Sequence, residues 1–194
     1  MNPVNADQAL QKLKEGNERF AARKSIHPNQ SEARRAEVTK GQRPFAVILG
    51  CADSRVPPEI IFDQGIGDLF ILRVAGNIAD EALLASMEYA VDHLGVPLIL
   101  VLGHQKCGAV QAAVTGGEAH GHLEYLMEAL RPAVETARSR PGDLAENTIR
   151  ANVERVVREL QNSEPLLAKA VKKGALKILG GRYDLETGRV EILG

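Results

Sequence analysis

Phe45-Ala46-Val47-Ile48-Leu49-Gly50-Cys51 is an unbroken apolar run of strand length that ends on a glycine and a cysteine. Alternation would mark a strand with one wet face, whereas a continuous run suits a strand covered on both faces, as in a parallel sheet between helices. Residues 69–72 and 98–102 are two further runs of the same kind. Between those two, Leu83, Leu84, Met87, Ala90, Val91 and Leu94 recur at helical spacing, with Asp80 as a cap and Gly95 after the end. The order is a strand-helix-strand crossover.

Working outward, residues 5–23 set Leu10, Leu13, Asn17 and Phe20 on one helical stripe behind an Asn5 cap. Residues 31–40 read as a short helix capped by Ser31 and stopped by Gly41. Downstream, helices are expected over 108–114, 122–131 ahead of Pro132, 143–162, and 163–173 ahead of Gly174. Residues 175–183, a turn at 186–188 and residues 189–193 read as a strand and hairpin. The expected fold is α/β: a mostly parallel central sheet flanked by helices, with an N-terminal helical arm and a C-terminal strand and hairpin. One domain covers residues 1–194, with the arm over 1–41 and the α/β core over 42–194.

Composition narrows the function. With 194 residues and 44% hydrophobic content, the chain can bury one good core. No apolar run approaches the ~20 residues that cross a bilayer, so no membrane association is expected. The opening residues lack the basic, apolar and small-residue pattern of a secretory leader, which makes a cytoplasmic location the expectation. Lys and Arg number 24 against 25 Asp and Glu, so no global field recruits nucleic acid or anionic lipid. A small neutral or singly charged substrate fits better.

Only two cysteines are present, Cys51 and Cys107, too few for a four-cysteine metal site. Taken alone, Cys51 at a strand end would be read as inert packing. Its company changes that reading. In open parallel sheets, ligands gather beyond the carboxyl ends of the strands. Cys51 closes the first strand, His104 lies beyond the third, and Cys107 stands where the chain turns into the next helix. Two thiolates and an imidazole make a soft set with tetrahedral preference, which suits Zn²⁺. Three protein ligands leave a fourth position, and a water there is acidified enough to supply zinc-bound hydroxide near neutral pH. Two thiolates offset the metal charge more than three histidines would, so activity is expected toward alkaline pH.

Asp53 and Arg55 follow the first cysteine at two-residue steps. Asp53 can accept a hydrogen bond from the hydroxide, or act as a fourth zinc ligand and close the site; Arg55 can hold the carboxylate by a bidentate pair. His120 and His122 read as solvated loop residues, and His27 and His93 as surface or helix-end residues.

Cys51-Ala-Asp-Ser-Arg55 with Val56-Pro57, Arg73-Val-Ala-Gly-Asn77 and His104-Gln-Lys-Cys107-Gly108, at these separations, resemble the β-class carbonic anhydrases. The resemblance implies reversible hydration of CO₂ to bicarbonate and a proton, with Cys51, His104 and Cys107 as zinc ligands and Asp53 with Arg55 as the catalytic dyad. It also implies that Gln42 binds bicarbonate across a subunit interface and that Gly108 offers its backbone N–H to the substrate. The assembly implied is a homodimer in which N-terminal helices wrap the partner, with a tetramer as a further step. Some members bind bicarbonate at a second, inhibitory site through a Trp, an Arg and a Tyr. Arg73 matches that Arg, but Ile48 stands at the Trp position, so the resemblance implies that this site is absent or altered. The nearest rival function is hydrolysis of carbonyl sulfide or carbon disulfide on the same zinc site, and a rival of another class is a scaffold with a closed structural metal.

Overall fold

Five strands, β1 (Ala46–Gly50), β2 (Leu69–Arg73), β3 (Leu98–His104), β4 (Lys177–Tyr183) and β5 (Val190–Leu193), form one sheet in the order β2-β1-β3-β4-β5 in the computed structural model. The structure describes residues 4–117 and 119–193. The first three residues of the stretch read for a leader, and Glu118 in the loop before His120, lie outside them. The first four strands pair in parallel and β5 returns antiparallel on β4, which gives the parallel centre and closing hairpin.

The unbroken apolar runs follow from burial on both faces. Every residue of β1 and β3 is buried. Ile48, Leu100 and Leu102 point to one side, with Leu13, Ile61 and Phe62; Val47, Leu49, Ile99 and Val101 point to the other, with Met87, Val153, Val156 and Leu160. Each such side chain contributes about 1.5–3 kcal/mol by leaving water.

The helices are α1 (Ala6–Ala21), α2 (Glu32–Val38), α3 (Pro58–Ile61), α4 (Glu81–Asp92), α5 (Gly108–Thr115), α6 (Leu123–Ala137), α7 (Leu144–Gln161) and α8 (Leu167–Lys172), with a 3₁₀ turn at Ala75–Asn77. Local chemistry starts the long ones. Asn5 and Gln8 form a reciprocal capping box on α1. Asp80 accepts from the Leu83 N–H and Asp143 from the Glu146 N–H.

Two expectations need correction. The helix expected to stop at Arg131 continues through Pro132 to Ala137. Leu130, Ala133, Val134 and Ala137 are buried on one face, while Pro132 and the Glu128 carbonyl residue four positions before it are exposed; water can take the freed carbonyl, and packing outweighs the lost bond. The helix expected from residue 163 starts only at Leu167, after a turn over 164–166. The buried face of α1, with Ala9 and Leu13, lies in the same core cluster as β1 and β3. Leu13 and Asn17 of its stripe are buried within this chain, and Leu10 and Phe20 partly so.

Candidate metal centre

β1 and β3 are neighbours in parallel register, Gly50 opposite Leu102, so Cys51 and His104 leave the sheet at the same carboxyl edge. Lys106, in the left-handed region at φ 54, turns the chain back, and Cys107 arrives at the N-cap of α5. The Gln105 N–H, bonded to the Tyr183 carbonyl at 2.9 Å, ties this turn to the end of β4. The result is a buried triad whose ligand atoms all lie within 4.8 Å of one another, with the two sulfurs 4.0 Å apart.

The imidazole is set for a metal. His104 Nδ1 faces the Gln105 carbonyl at 2.9 Å, which favours the tautomer with its proton there and leaves Nε2 with a free lone pair. That Nε2 is buried without a hydrogen-bond partner among the described residues. An orphaned buried nitrogen is costly; a cation between it and the two sulfurs removes the cost. The donor set, two thiolates and one imidazole, fits zinc.

The contact between the two sulfurs drives their acidities apart. The hydrogen bond with Cys107 draws the Cys51 thiol down to about 4 against the opposing effect of burial, helped by His104 and by the backbone N–H groups of Asp53 and Gly76. The same Cys51 bond, together with burial, pushes Cys107 up, although the N–H groups of Val110 and Ala109 pull the other way. A divalent cation would favour the thiolate form of both.

Beside the triad, Asp53 is clamped by Arg55. Nε donates to Oδ1 at 2.9 Å, Nη2 to Oδ2 at 2.7 Å, and the Arg55 backbone N–H to Oδ1 at 2.9 Å. The guanidinium is steadied by the Lys106 carbonyl at 3.1 Å. These bonds, the Arg55 side chain first, hold the Asp53 carboxyl down at about 2 despite partial burial, so it is an acceptor at neutral pH. Its Oδ2 lies 3.9 Å from His104 Nε2, and it would have to break the Arg55 fork to become a metal ligand.

The other sequence candidates fall outside this cluster. Arg73 reaches the carbonyls of Cys51 (2.8 Å) and Asp53 (2.5 Å), so it braces the backbone of the loop and leaves the reacting groups alone. Ile48, at the position where a second bicarbonate site would need Trp, is fully buried in β1. Gln42 is exposed ahead of β1 and does not meet the triad through any hydrogen bond among the described residues. Gly108 opens α5 directly after Cys107, and a Cβ there would meet nothing within 4 Å. His120 and His122 are exposed, as loop residues should be. Two contributors were missed: the Gly76 N–H, 3.3 Å from the Cys51 sulfur, and Asn152, which holds the Gly76 carbonyl at 2.9 Å. The signal for Asn152 was an amide on the buried face of α7, between Ile149 and Val156; a backbone donor such as Gly76 leaves almost none.

Comparison with known proteins agrees with this geometry. A family model described as carbonic anhydrase matches residues 46–190. The chain is 43% identical to a carbonic anhydrase of Mycolicibacterium smegmatis, covering 98% of this chain and 93% of that one. It is 45% identical to carbonic anhydrase 2 of Mycobacterium tuberculosis, over 97% and 91% of the two chains. Among solved structures, a β-carbonic anhydrase from Sordaria macrospora, described as tetrameric, superposes with a TM-score of 0.75 at 29% identity, covering 93% of this chain and 94% of the other.

Proposed function

The chain belongs to the β-carbonic anhydrase family, zinc enzymes that interconvert CO₂ and bicarbonate, and from that premise we propose how its own residues divide the work. Cys51, His104 and Cys107 hold the zinc. Bound there, zinc supplies a Lewis acid that acidifies water, so that a nucleophile is available near neutral pH. Asp53, ionised and acceptor-only, takes a hydrogen bond from the attacking water and turns its lone pair toward the CO₂ carbon. Arg55 keeps that carboxylate charged and in place. The Gly108 N–H meets an oxygen of the nascent bicarbonate as charge builds on it, and the amide of Gln42, contributed across a subunit interface, binds the same anion.

The matching relatives are carbonic anhydrases by name, which does not favour carbonyl sulfide or carbon disulfide as the substrate. A retained Asp53–Arg55 pair beside three ligands speaks against a closed structural metal.

The assembly we infer is a homodimer. Ile26, Ile60 and Ile66 are exposed at 66%, 58% and 43% on segments that touch one another, since the Ile66 N–H bonds the Asn29 carbonyl and Asp63 accepts from the Ile26 N–H. Large apolar side chains exposed on adjoining segments are what a partner would cover. Pairing of dimers into a tetramer is a further step supported by the tetrameric Sordaria relative. No helix among the described residues is long and apolar enough to cross a membrane. Two buried free cysteines suit a reducing compartment such as the cytoplasm.

The observation that carries the site assignment is the unpaired His104 Nε2 facing two thiols. Stopped-flow CO₂ hydration on zinc-quantified protein tests it: Cys51→Ala should lose both metal and rate, whereas Asp53→Asn should keep the metal and lose rate. Normal turnover in Asp53→Asn would remove Asp53 from the mechanism.

A further inference from the structure

Behind the metal centre a chain of buried polar groups runs from α7 to the Cys51 sulfur. Asn152, only 1% exposed, donates Nδ2 to the Gly76 carbonyl at 2.9 Å. The N–H of the same glycine lies 3.3 Å from Cys51 Sγ. Arg155, almost one turn on along α7, donates Nη2 to Asn152 Oδ1 and to the Ala129 carbonyl of α6, both at 3.0 Å. With a guanidinium at Oδ1, only the NH₂ end of the amide can face Gly76, so Arg155 fixes which way Asn152 points.

The glycine itself is tightly placed. Gly76 has φ 70, and a Cβ there would stand 3.2 Å from Leu130 Cδ1 and 3.4 Å from Ala109 Cβ. It lies in a 3₁₀ turn outside the sheet ladder, so its peptide groups are oriented by what they meet. Its carbonyl takes an amide from α7 and its N–H meets the sulfur, while the Asn77 N–H of the following peptide bonds the Val74 carbonyl at 3.0 Å.

We propose that Asn152, oriented by Arg155, is a positioning residue for the metal centre: by holding the Gly76 carbonyl it aims the Gly76 N–H at Cys51 and so limits how much charge that sulfur gives to the metal. The inference rests on Cys51 being a ligand. A hydrogen bond to a metal-bound thiolate withdraws electron density from sulfur; without it the sulfur donates more, and the metal becomes the weaker Lewis acid. Groups that orient metal ligands from behind are commonly worth about 10–100-fold in affinity or activity. A purely structural role would also satisfy the Gly76 carbonyl, but it would leave the electronic state of the folded site unchanged.

The test is the absorption of the cobalt(II)-substituted enzyme, in which a thiolate-to-cobalt charge-transfer band reports directly on sulfur donation. Asn152→Asp keeps the shape and removes the donor toward Gly76. The band is expected at longer wavelength than in the parent, together with a fall in kcat on the order of 10-fold and little change in KM. Because a buried aspartate can fail to fold, Arg155→Met serves as the second variant, leaving Asn152 present but unoriented, with a smaller shift in the same direction. A folded variant of either kind with lowered Tm and an unmoved band would overturn the proposal. A parent protein without any thiolate-to-cobalt band would overturn the ligand assignment itself, an outcome visible before any variant is compared.

Discussion

Val153 stands so close to Gly103 that a Cβ added to the glycine would lie 2.7 Å from the valine's Cγ2, and a Cβ on Gly180 would lie 2.7 Å from its Cγ1. One valine of α7 thus seats in a groove made by glycines of two adjacent strands, one residue before His104. Gly103→Ala would force Val153, and with it Asn152, away from the sheet. Overpacking of this kind costs about 1–3 kcal/mol. The expected result is a lower urea midpoint at unchanged m-value; an unchanged midpoint would mean that α7 has room to shift freely.

These glycines also mark where the sequence stops being readable. The apolar runs at 45–51, 69–72 and 98–102 announced a sheet covered on both faces, because burial of both sides removes alternation, and β1 and β3 are indeed buried throughout. Cys51, His104 and Cys107 could be singled out because strand ends in a parallel sheet converge, and their ligand atoms do meet. What could not be read is anything set by close approach or by backbone donors. Gly103 and Gly180 look like ordinary strand glycines until α7 is laid over them. Pro132 reads as a stop because the sequence does not reveal that its ring faces solvent while Leu130, Ala133 and Val134 are buried.

Asp63 should give the fold a measurable acid sensitivity. Its side chain is 1% exposed and accepts from Arg19 Nε at 2.6 Å and from the backbone N–H groups of Ile26 and His27 at 3.1 and 3.0 Å. Burial alone would raise its pKa, but Arg19 and the two N–H groups outweigh it, and the net shift is downward. A folded pKa below the unfolded value of about 3.9 means that the stabilisation is present above that value and is lost as pH falls through the folded pKa. Asp63→Asn should therefore be less stable than the parent at neutral pH, with the gap narrowing below about pH 4. Parallel urea melts across pH check this; a gap that is constant with pH would assign the loss to packing.

Asn17 joins three parts of the chain. Its Nδ2 donates to the carbonyls of Ile61 (3.2 Å) and Gly188 (2.8 Å), and its Oδ1 accepts from the Val190 N–H at 2.8 Å. Asn17→Ala leaves these backbone groups without their partner, at about 1–3 kcal/mol for each that stays dry. The melting temperature should fall, and the Val190 amide should exchange with solvent much faster than its neighbours in β5. Retained protection at Val190 would show that its partner lies elsewhere.

Two arginines near the metal should separate rate from stability. Arg55 is half-exposed and spends its fork on the Asp53 carboxylate, and an exposed pair of this kind contributes little to folding. Lysine offers one point of charge where a fork is needed, so Arg55→Lys should keep zinc and urea midpoint while losing kcat on the order of 10-fold. Arg73 instead ties the Cys51 and Asp53 carbonyls, which fixes the loop that carries a ligand. Arg73→Lys should loosen that loop, lowering zinc retention under chelator challenge before it changes the rate of the zinc-loaded fraction. If Arg55→Lys lost zinc while Arg73→Lys lost only rate, the two roles would have to be exchanged.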